Sequence, residues 1–517
     1  MTQVEEQAAA PDTAAPLPRC RRPSTSLLVA WCVLVPLTIL AGTFGLRGCP
    51  AGQHTCNRAP TLADPWRWWL VAAVGALVLL ALCVFEARRP ATVDPTPSPR
   101  RYRRRWLVAG SVLGVLIGAH LVMLGPMVDK PFCATPVYVN SVMAYPYNCD
   151  SVEFTRLAHN PRRILEYHNE RQSRPGYVAI AAVGTRTVGP VAHWLHLDRL
   201  YGQNDKAYIP LVLINLVATA IAVLLLAWLL SRLGTPTMVT VALSALVVVN
   251  EVTKPFTWTA HQQTIALVVP VATIAAVRWL LLARPSWRGV GLLGLGFRLA
   301  SLVYGSFLIT AGVVLLVLVA RPAGGWFRSG WWRQAFLPAV VFGIGFAAPQ
   351  LTWMAICRVV TGSYYNHEAE VYDEFVWPYI ALRRHGLGGL VSATRDMTVT
   401  TIRELEVATV AMLLVGALAA LAVLLRVRLA ADSPEDRAIV VGAGLTVLFS
   451  VLFAWGIGII ASRLMFHVVP ALFVVAGWLA ARVTAGSRPA SRLVGPAFLA
   501  LAAAVMVADI AAQGPYS

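Results

Sequence analysis

Residues 128–175 read VDKPFCATPVYVNSVMAYPYNCDSVEFTRLAHNPRRILEYHNERQSRP. An apolar run at 106–127 precedes this stretch and another, at 176–197, follows it. Carboxylates, histidines and arginines are dense between them. A polar island of this size between apolar runs is a loop outside a hydrocarbon layer, and the long apolar runs are helices that cross the layer. The bulk composition agrees. Of 517 residues, 57% are hydrophobic and 13% charged, with mean hydropathy +0.64, against roughly 25% charged residues in a soluble domain. The sequence predicts an all-α, polytopic membrane protein.

The net charge is +18, from 43 Lys+Arg against 25 Asp+Glu. Such a balance also fits nucleic-acid binding, but short cytoplasmic loops collect arginine for reasons of topology alone. Lysine occurs only at Lys130, Lys206 and Lys254. With abundant Ala, Val and Gly, that usage fits a GC-rich bacterial genome.

Working outward, residues 1–24 are a polar, disordered cytoplasmic tail. Residues 25–105 form an N-terminal addition of two spans, 26–46 and 69–85, and a basic linker. Arg100, Arg101, Arg103, Arg104 and Arg105 close that linker against anionic lipid. No cleavable signal peptide is evident. The span at 106–127 runs outward and places the 128–175 loop outside. Cys49 and Cys56 lie in one exterior loop, Cys133 and Cys149 in the other. An oxidising compartment permits disulfides there, and Cys49–Cys56 with Cys133–Cys149 are the simplest pairs, though spacing does not fix the connectivity. Residues 176–197 contain Arg186, His193 and His196 and read as an interfacial helix. Spans follow at 208–230, 237–249 and 264–282. Residues 290–319 read as two broken helices interrupted at Arg298 and Gly305. Further spans are 336–359, 406–425, 439–460, 464–481 and, in a C-terminal unit 484–517, 494–510. Residues 361–403 form a second large exterior loop. The total is about thirteen spans, with the N-terminus cytoplasmic.

Three stretches carry a family resemblance. The first exterior loop holds an acidic residue in CDSVEFTRLAHNP, continues into RQSRPGY, and is matched near the end by SRLMFHVVPALFVVAG. With a second large exterior loop late in the chain, this resembles the GT-C glycosyltransferases, polytopic enzymes that use polyprenyl-phosphate-linked sugars. Protein O-mannosyltransferases and aminoarabinose transferases are examples. Their R-x-x-x-P-x-x-P-like entry to a late span is kept only in part, as Arg463, His467 and Pro470. The resemblance covers roughly residues 106–481 and makes 106–483 the catalytic core. It implies an inverting transfer of sugar from a polyprenyl-phosphate donor to a cell-envelope glycan, lipid or protein acceptor, outside the cytoplasmic membrane. Asp150 would be the catalytic carboxylate and Arg463 a ligand of the donor phosphate.

Physical chemistry gives those roles content. An acceptor hydroxyl must lose its proton as it attacks the anomeric carbon, and a carboxylate in hydrogen-bond reach takes it. The leaving phosphate needs charge stabilisation, which a guanidinium supplies in a bidentate fork.

Each candidate also has a plainer reading. Asp150 fits an N-cap for a helix starting near Ser151, with Glu153 completing a capping box. Glu153 lies one turn from Asp150 and fits either the site or that box. Glu166 and Glu170 fit pairing with Arg163 or Arg174 on a solvated face. Arg171 and Arg174 fit interfacial anchors or phosphate contacts. His261, in TWTAHQQ with Trp258, Gln262 and Gln263, fits a sugar subsite or the aromatic belt. Arg298 is costly inside an apolar run unless it meets a cavity or partner, so it fits either the donor phosphate or a structural ion pair. Residues 364–377 (YYNHEAEVYDEFVW) fit a lid. Within them, His367 and Glu368 are substrate-binding candidates, but no second histidine follows at metal-ligand spacing. No cofactor motif appears, and the resemblance leaves a divalent cation open. A transporter or flippase of lipid-linked sugars, or a non-catalytic scaffold, are the rival readings.

Overall fold

The computed structural model describes residues 135–138, 144–147 and 149–513, except 195–198, 201–202, 205, 249, 251–252, 258, 284, 321–334, 430, 432, 459–461 and 487. The tail, the spans expected at 26–46, 69–85 and 106–127, the arginines of the basic linker and the cysteines at 49, 56 and 133 lie outside the described residues, as do the side chain of Cys149 and Trp258. The described chain is helical, apart from two short antiparallel ribbons. β1 (Thr135–Tyr138) pairs with β2 (Ala144–Tyr147), and β3 (Arg199–Leu200) with β4 (Gln203–Asn204).

The helices, in chain order, begin with α1 (Cys149–His159), α2 (Pro175–Thr187), α3 (Gly189–Trp194), α4 (Tyr208–Arg232), α5 (Thr237–Val248) and α6 (Thr253–Thr257). They continue with α7 (Val268–Ala283), α8 (Trp287–Val303), α9 (Leu308–Ala320), α10 (Leu337–Thr361), α11 (His367–Tyr372) and α12 (Trp377–Glu404). The last are α13 (Thr409–Leu424), α14 (Pro434–Ile457), α15 (Ser462–Met465), α16 (Val468–Gly486) and α17 (Arg488–Gln513). Among the described residues, six helical segments are long and apolar enough to cross a membrane, and Thr237–Val248, Gly305–Ala320 and Arg492–Val505 are shorter apolar helices. The protein is membrane-embedded. Large apolar side chains such as Ile344, Leu351 and Val359 of α10 stand exposed, as hydrocarbon solvation requires.

α4 is the hub. Leu211, Val212, Leu226, Ala227, Leu229 and Leu230 are all fully buried along it, and α5, α7 and α16 pack around it. One end of the bundle is tied by charge. Ser433 caps α14, its hydroxyl accepting from Asp436 N at 3.0 Å, with Pro434 in the first turn. Glu435, in that turn, accepts from Arg278 Nε at 2.7 Å and pairs with Arg232 Nε at 3.3 Å. Arg482 pairs with Asp436. The ends of α4, α7 and α16 thus meet the start of α14. The opposite end gathers the starts of α4, α7 and α16.

Two expectations are corrected. Arg298 does not break its helix, because α8 runs unbroken from Trp287 to Val303. The interruption comes at Gly305–Phe307, a 3-10 turn before α9. Residues 361–403 are not an open loop. They hold α11 and the 28-residue α12, which bends at Gly386 where φ is +65°. Their arginines all lie on α12, which buries only Trp377 and Thr401. At 176–197 the chain makes two short helices, α2 and α3, with Tyr177, Ala181 and Ala192 buried.

Candidate functional site

α1 begins at Cys149, which puts Asp150 inside the first turn, past the N-cap position. Its carboxylate faces two partners from distant elements. Arg171 Nη2 meets Oδ1, and His261 Nε2 lies 3.3 Å from Oδ2. The capping reading of Asp150 therefore gives way to a tertiary one.

Arg171 reaches Asp150 because the RQSRP segment is held on both sides. Asn169 Oδ1 accepts from Arg171 N at 2.9 Å. Gln172 Nε2 donates to Glu166 O, its Oε1 accepts from Tyr365 N, and its carbonyl accepts from Trp353 Nε1 at 2.7 Å. The side chain of Arg171 is 9% exposed, and its guanidinium lies 5.1 Å over the Phe154 ring. Ser173 Oγ donates to Glu368 Oε2 at 2.9 Å, and Arg174 Nη2 stands 2.7 Å from Glu368 Oε1. Residues 171–174 thus join Asp150 to the 363–377 segment.

His261 is 4% exposed and lies in a segment folded into the bundle. Thr253, Thr257, Thr259, Gln262 and Gln263 are buried with it. Asn215 of α4 holds this segment inside, donating to Phe256 O at 3.0 Å and Thr259 O at 2.7 Å, while its Oδ1 accepts from Thr264 Oγ1 at 2.9 Å. Gln263 N donates to His261 Nδ1 at 3.1 Å. That nitrogen must carry a lone pair, so the proton of the neutral ring sits on Nε2 and points at Asp150. Gln263 Nε2 donates to Tyr304 OH and to Arg463 O, each at 3.0 Å. The side chain of Arg463 lies 5.9 Å from the Phe256 ring, and no carboxylate among the described residues pairs with it. Tyr304 is within electrostatic reach of both Arg174 and Arg463.

Burial opposes charge on Asp150. The His261 contact and the Arg171 charge outweigh it and hold the carboxyl well below the usual carboxylate range. Burial pushes His261 down to about 4, with Asp150 offsetting part of the shift. His467, buried with Nδ1 2.7 Å from Leu464 O, is also pushed down to about 4 by burial. Both histidines are neutral at pH 7.

The sign of the pH dependence follows. Between pH 6.5 and 4 the unfolded chain binds protons that the folded histidines refuse, so stability rises with pH across that window and is lost on acidification through it. The unfolding midpoint of detergent-solubilised protein is expected to fall from pH 7 to 5. His261→Gln and His467→Gln are each expected to flatten that fall. An unchanged slope in both variants rejects the neutral-histidine assignment.

Other candidates lie apart from Asp150. Glu153 turns to Asn169 Nδ2 at 3.5 Å and Arg156 at 3.8 Å. Glu166 pairs with Arg163 at 3.0 Å, whereas Glu170 is the exception, its Oε2 lying 3.9 Å from the same Arg171 Nη2 that meets Asp150. Arg298 has its guanidinium 5.2 Å over the Phe346 ring, with Tyr364 in electrostatic reach and no carboxylate pair among the described residues. His367 Nδ1 lies 3.0 Å from Tyr365 OH. No group of three His, Cys, Asp or Glu arranged to hold a metal occurs among the described residues.

Gln172, Ser173, Tyr304 and Glu374 join the site without a signal of their own in the sequence. Glu374 lies within electrostatic reach of Glu368 and Arg174. It sits between Asp373 and Phe375, both with positive φ, a costly backbone for side-chain-bearing residues. The flanking DEF carries no sequence sign of that turn.

Beside this cluster runs an apolar groove of about 510 Å³, lined by Ile180, Val183, Pro210, Ile214, Val303 and Phe307 among others. Its lining also includes Ile265, two residues after Gln263, and Val303, next to Tyr304.

No protein-family model, no curated protein and no solved structure matches this chain.

Proposed function

We propose that this protein is a GT-C-type glycosyltransferase that moves a sugar from a polyprenyl-phosphate carrier to a cell-envelope acceptor on the extracytoplasmic face, with inversion. One observation carries the reading. An ionised carboxylate, Asp150, sits among guanidiniums at one end of a membrane bundle whose helices also form an apolar groove. The groove suits an isoprenoid tail, the arginines suit its phosphate, and Asp150 suits the acceptor hydroxyl. The arginine-rich ends of α4, α7 and α16 lie at the other end of the bundle, where the positive-inside rule puts the cytoplasm.

A carboxylate held by two donors is a weak base. In the proposed reaction Arg171 turns from Asp150 to the donor phosphate as the donor enters. Asp150 Oδ1 is then free for the acceptor hydroxyl, and its base strength rises when that charge leaves. The hydroxyl oxygen bonds the anomeric carbon, the bond to the carrier phosphate breaks, the proton goes to Asp150, and the phosphate leaves with the electron pair.

The test is sugar transfer by native membranes supplied with a panel of polyprenyl-phosphate sugars and envelope acceptors. Transfer from at least one donor is the expected result. Movement of intact lipid-linked sugar across the bilayer without any transfer replaces the enzyme by a flippase.

A further inference from the structure

The Arg174–Ser173 pair has the chemistry of a phosphate site. It offers one guanidinium and one hydroxyl, on consecutive residues, to a single anion. In this structure the anion is the chain's own Glu368, whose side chain is 12% exposed, with Ser173 Oγ at 2.9 Å and Arg174 Nη2 at 2.7 Å. The fit is incomplete. Glu368 Oε1 is buried without an aligned hydrogen bond, so Arg174 holds it by charge alone. A tetrahedral anion with more oxygens satisfies that guanidinium better than this carboxylate does.

Glu368 arrives on a segment with few other ties to the site. α11 buries no residue of its own. Tyr365 N donates to Gln172, and His168 stacks on Tyr365 with ring centroids 4.6 Å apart. The far end of the segment is anchored separately. Phe375 N donates to Gly456 O at 3.0 Å, and Trp377 packs edge-on against Trp455 at 5.1 Å. The segment is a strap tied to α10 at its start, where Gln350 Nε2 donates to Tyr364 OH at 3.0 Å, fixed at its α12 end, and latched between them at Glu368.

We infer that Glu368 occupies an anion site that a phosphate takes on binding, so that residues 363–377 are an autoinhibitory strap which the phosphate of the ligand unlatches. This rests on the reading of the site above for the identity of the phosphate as a lipid headgroup. The anion site itself stands on the Arg174–Ser173–Glu368 geometry.

An internal competitor lowers apparent affinity by the fraction of molecules in which the site is free. Glu368→Gln keeps the shape and removes the competing charge. The experiment measures binding of decaprenyl phosphate in neutral-lipid nanodiscs, and separately of inorganic phosphate, to the native protein, Glu368→Gln and Arg174→Gln. Glu368→Gln is expected to bind decaprenyl phosphate about tenfold tighter, and Arg174→Gln more weakly than native. Equal or weaker binding of both probes to Glu368→Gln overturns the inference. Tighter binding of inorganic phosphate alone keeps the anion site but removes the lipid donor, which separates failure of the function from failure of the strap. Should Glu368→Gln not fold, hydrogen exchange on the native protein decides. Exchange in 363–372 must speed up when decaprenyl phosphate or inorganic phosphate binds, and slowing or no change with both rejects the strap.

Discussion

Asp150→Asn is expected to lower sugar transfer by about 10²-fold or more, the scale of a lost general base. The substitution keeps the volume of the side chain and removes its charge. It also has a structural consequence that the geometry makes specific. Both oxygens of Asp150 face donors, Arg171 Nη2 and the protonated Nε2 of His261. Asparagine offers one acceptor and one donor group, so one of its two contacts becomes donor against donor whichever way the amide is turned. The variant is therefore expected to be less stable as well as less active, and its unfolding midpoint must be measured beside its rate. A loss of rate in protein that remains folded at the assay temperature assigns the base. Glu153→Gln provides the comparison, because Glu153 faces Asn169 and Arg156. If the 10²-fold loss falls on Glu153→Gln and not on Asp150→Asn, the base has been assigned to the wrong carboxylate.

The helices were legible because hydrocarbon solvation leaves a strong mark. The expectations 208–230, 336–359 and 439–460 correspond to Tyr208–Arg232, Leu337–Thr361 and Pro434–Ile457. Ser433-Pro434-Glu435-Asp436 marks its helix start openly. Arg298 misled, because an arginine in an apolar run looks like a breach, yet a long aliphatic stem and an aromatic face beneath the guanidinium let a helix carry it. Residues 361–403 misled through their charge, which a helix exposed over nearly its whole length shares with a loop.

The site was half legible. Asp150 and Arg171 share one polar stretch, and local density pointed to both. The pairing of Asp150 with His261 joins residues 111 positions apart by number. It depends on Asn215 folding the 253–264 segment into the bundle through backbone carbonyls. Backbone acceptors leave no trace in residue identity. The same holds for Arg463, whose backbone carbonyl joins the site by accepting from Gln263. Glu368 was visible as an acid in a lid-like stretch, but its partner is set by how α10 returns that stretch to the RQSRP segment.

Gly294→Val is the second substitution with a large expected effect. α8 and α10 lie with their backbones in contact. A Cβ on Gly294 would come 2.4 Å from Phe342 O, and one on Gly345 would come 2.4 Å from Gly291 O. No side chain lies at either point to move aside, so the helices themselves must separate. Forced overpacking costs typically 1–3 kcal/mol and at times more, and a rigid backbone obstacle places Gly294→Val and Gly345→Val at about 3 kcal/mol or above on that scale. Gly296 and Gly343, on the same two helices, have nothing within 4 Å of a built Cβ, so valine there is tolerated apart from small propensity changes. Close approach through small residues is how helices associate in lipid, where there is no hydrophobic force between them. The crossing also sets what lies under Arg298. That residue is one helical turn past Gly294, and its ring partner Phe346 follows Gly345 directly. Pushing α10 away exposes a charged group to hydrocarbon in addition to opening the interface. Unfolding of the four variants in detergent, followed by tryptophan fluorescence, is expected to set Gly294→Val and Gly345→Val well below Gly296→Val and Gly343→Val. Equal midpoints for all four would mean that the two backbones do not touch.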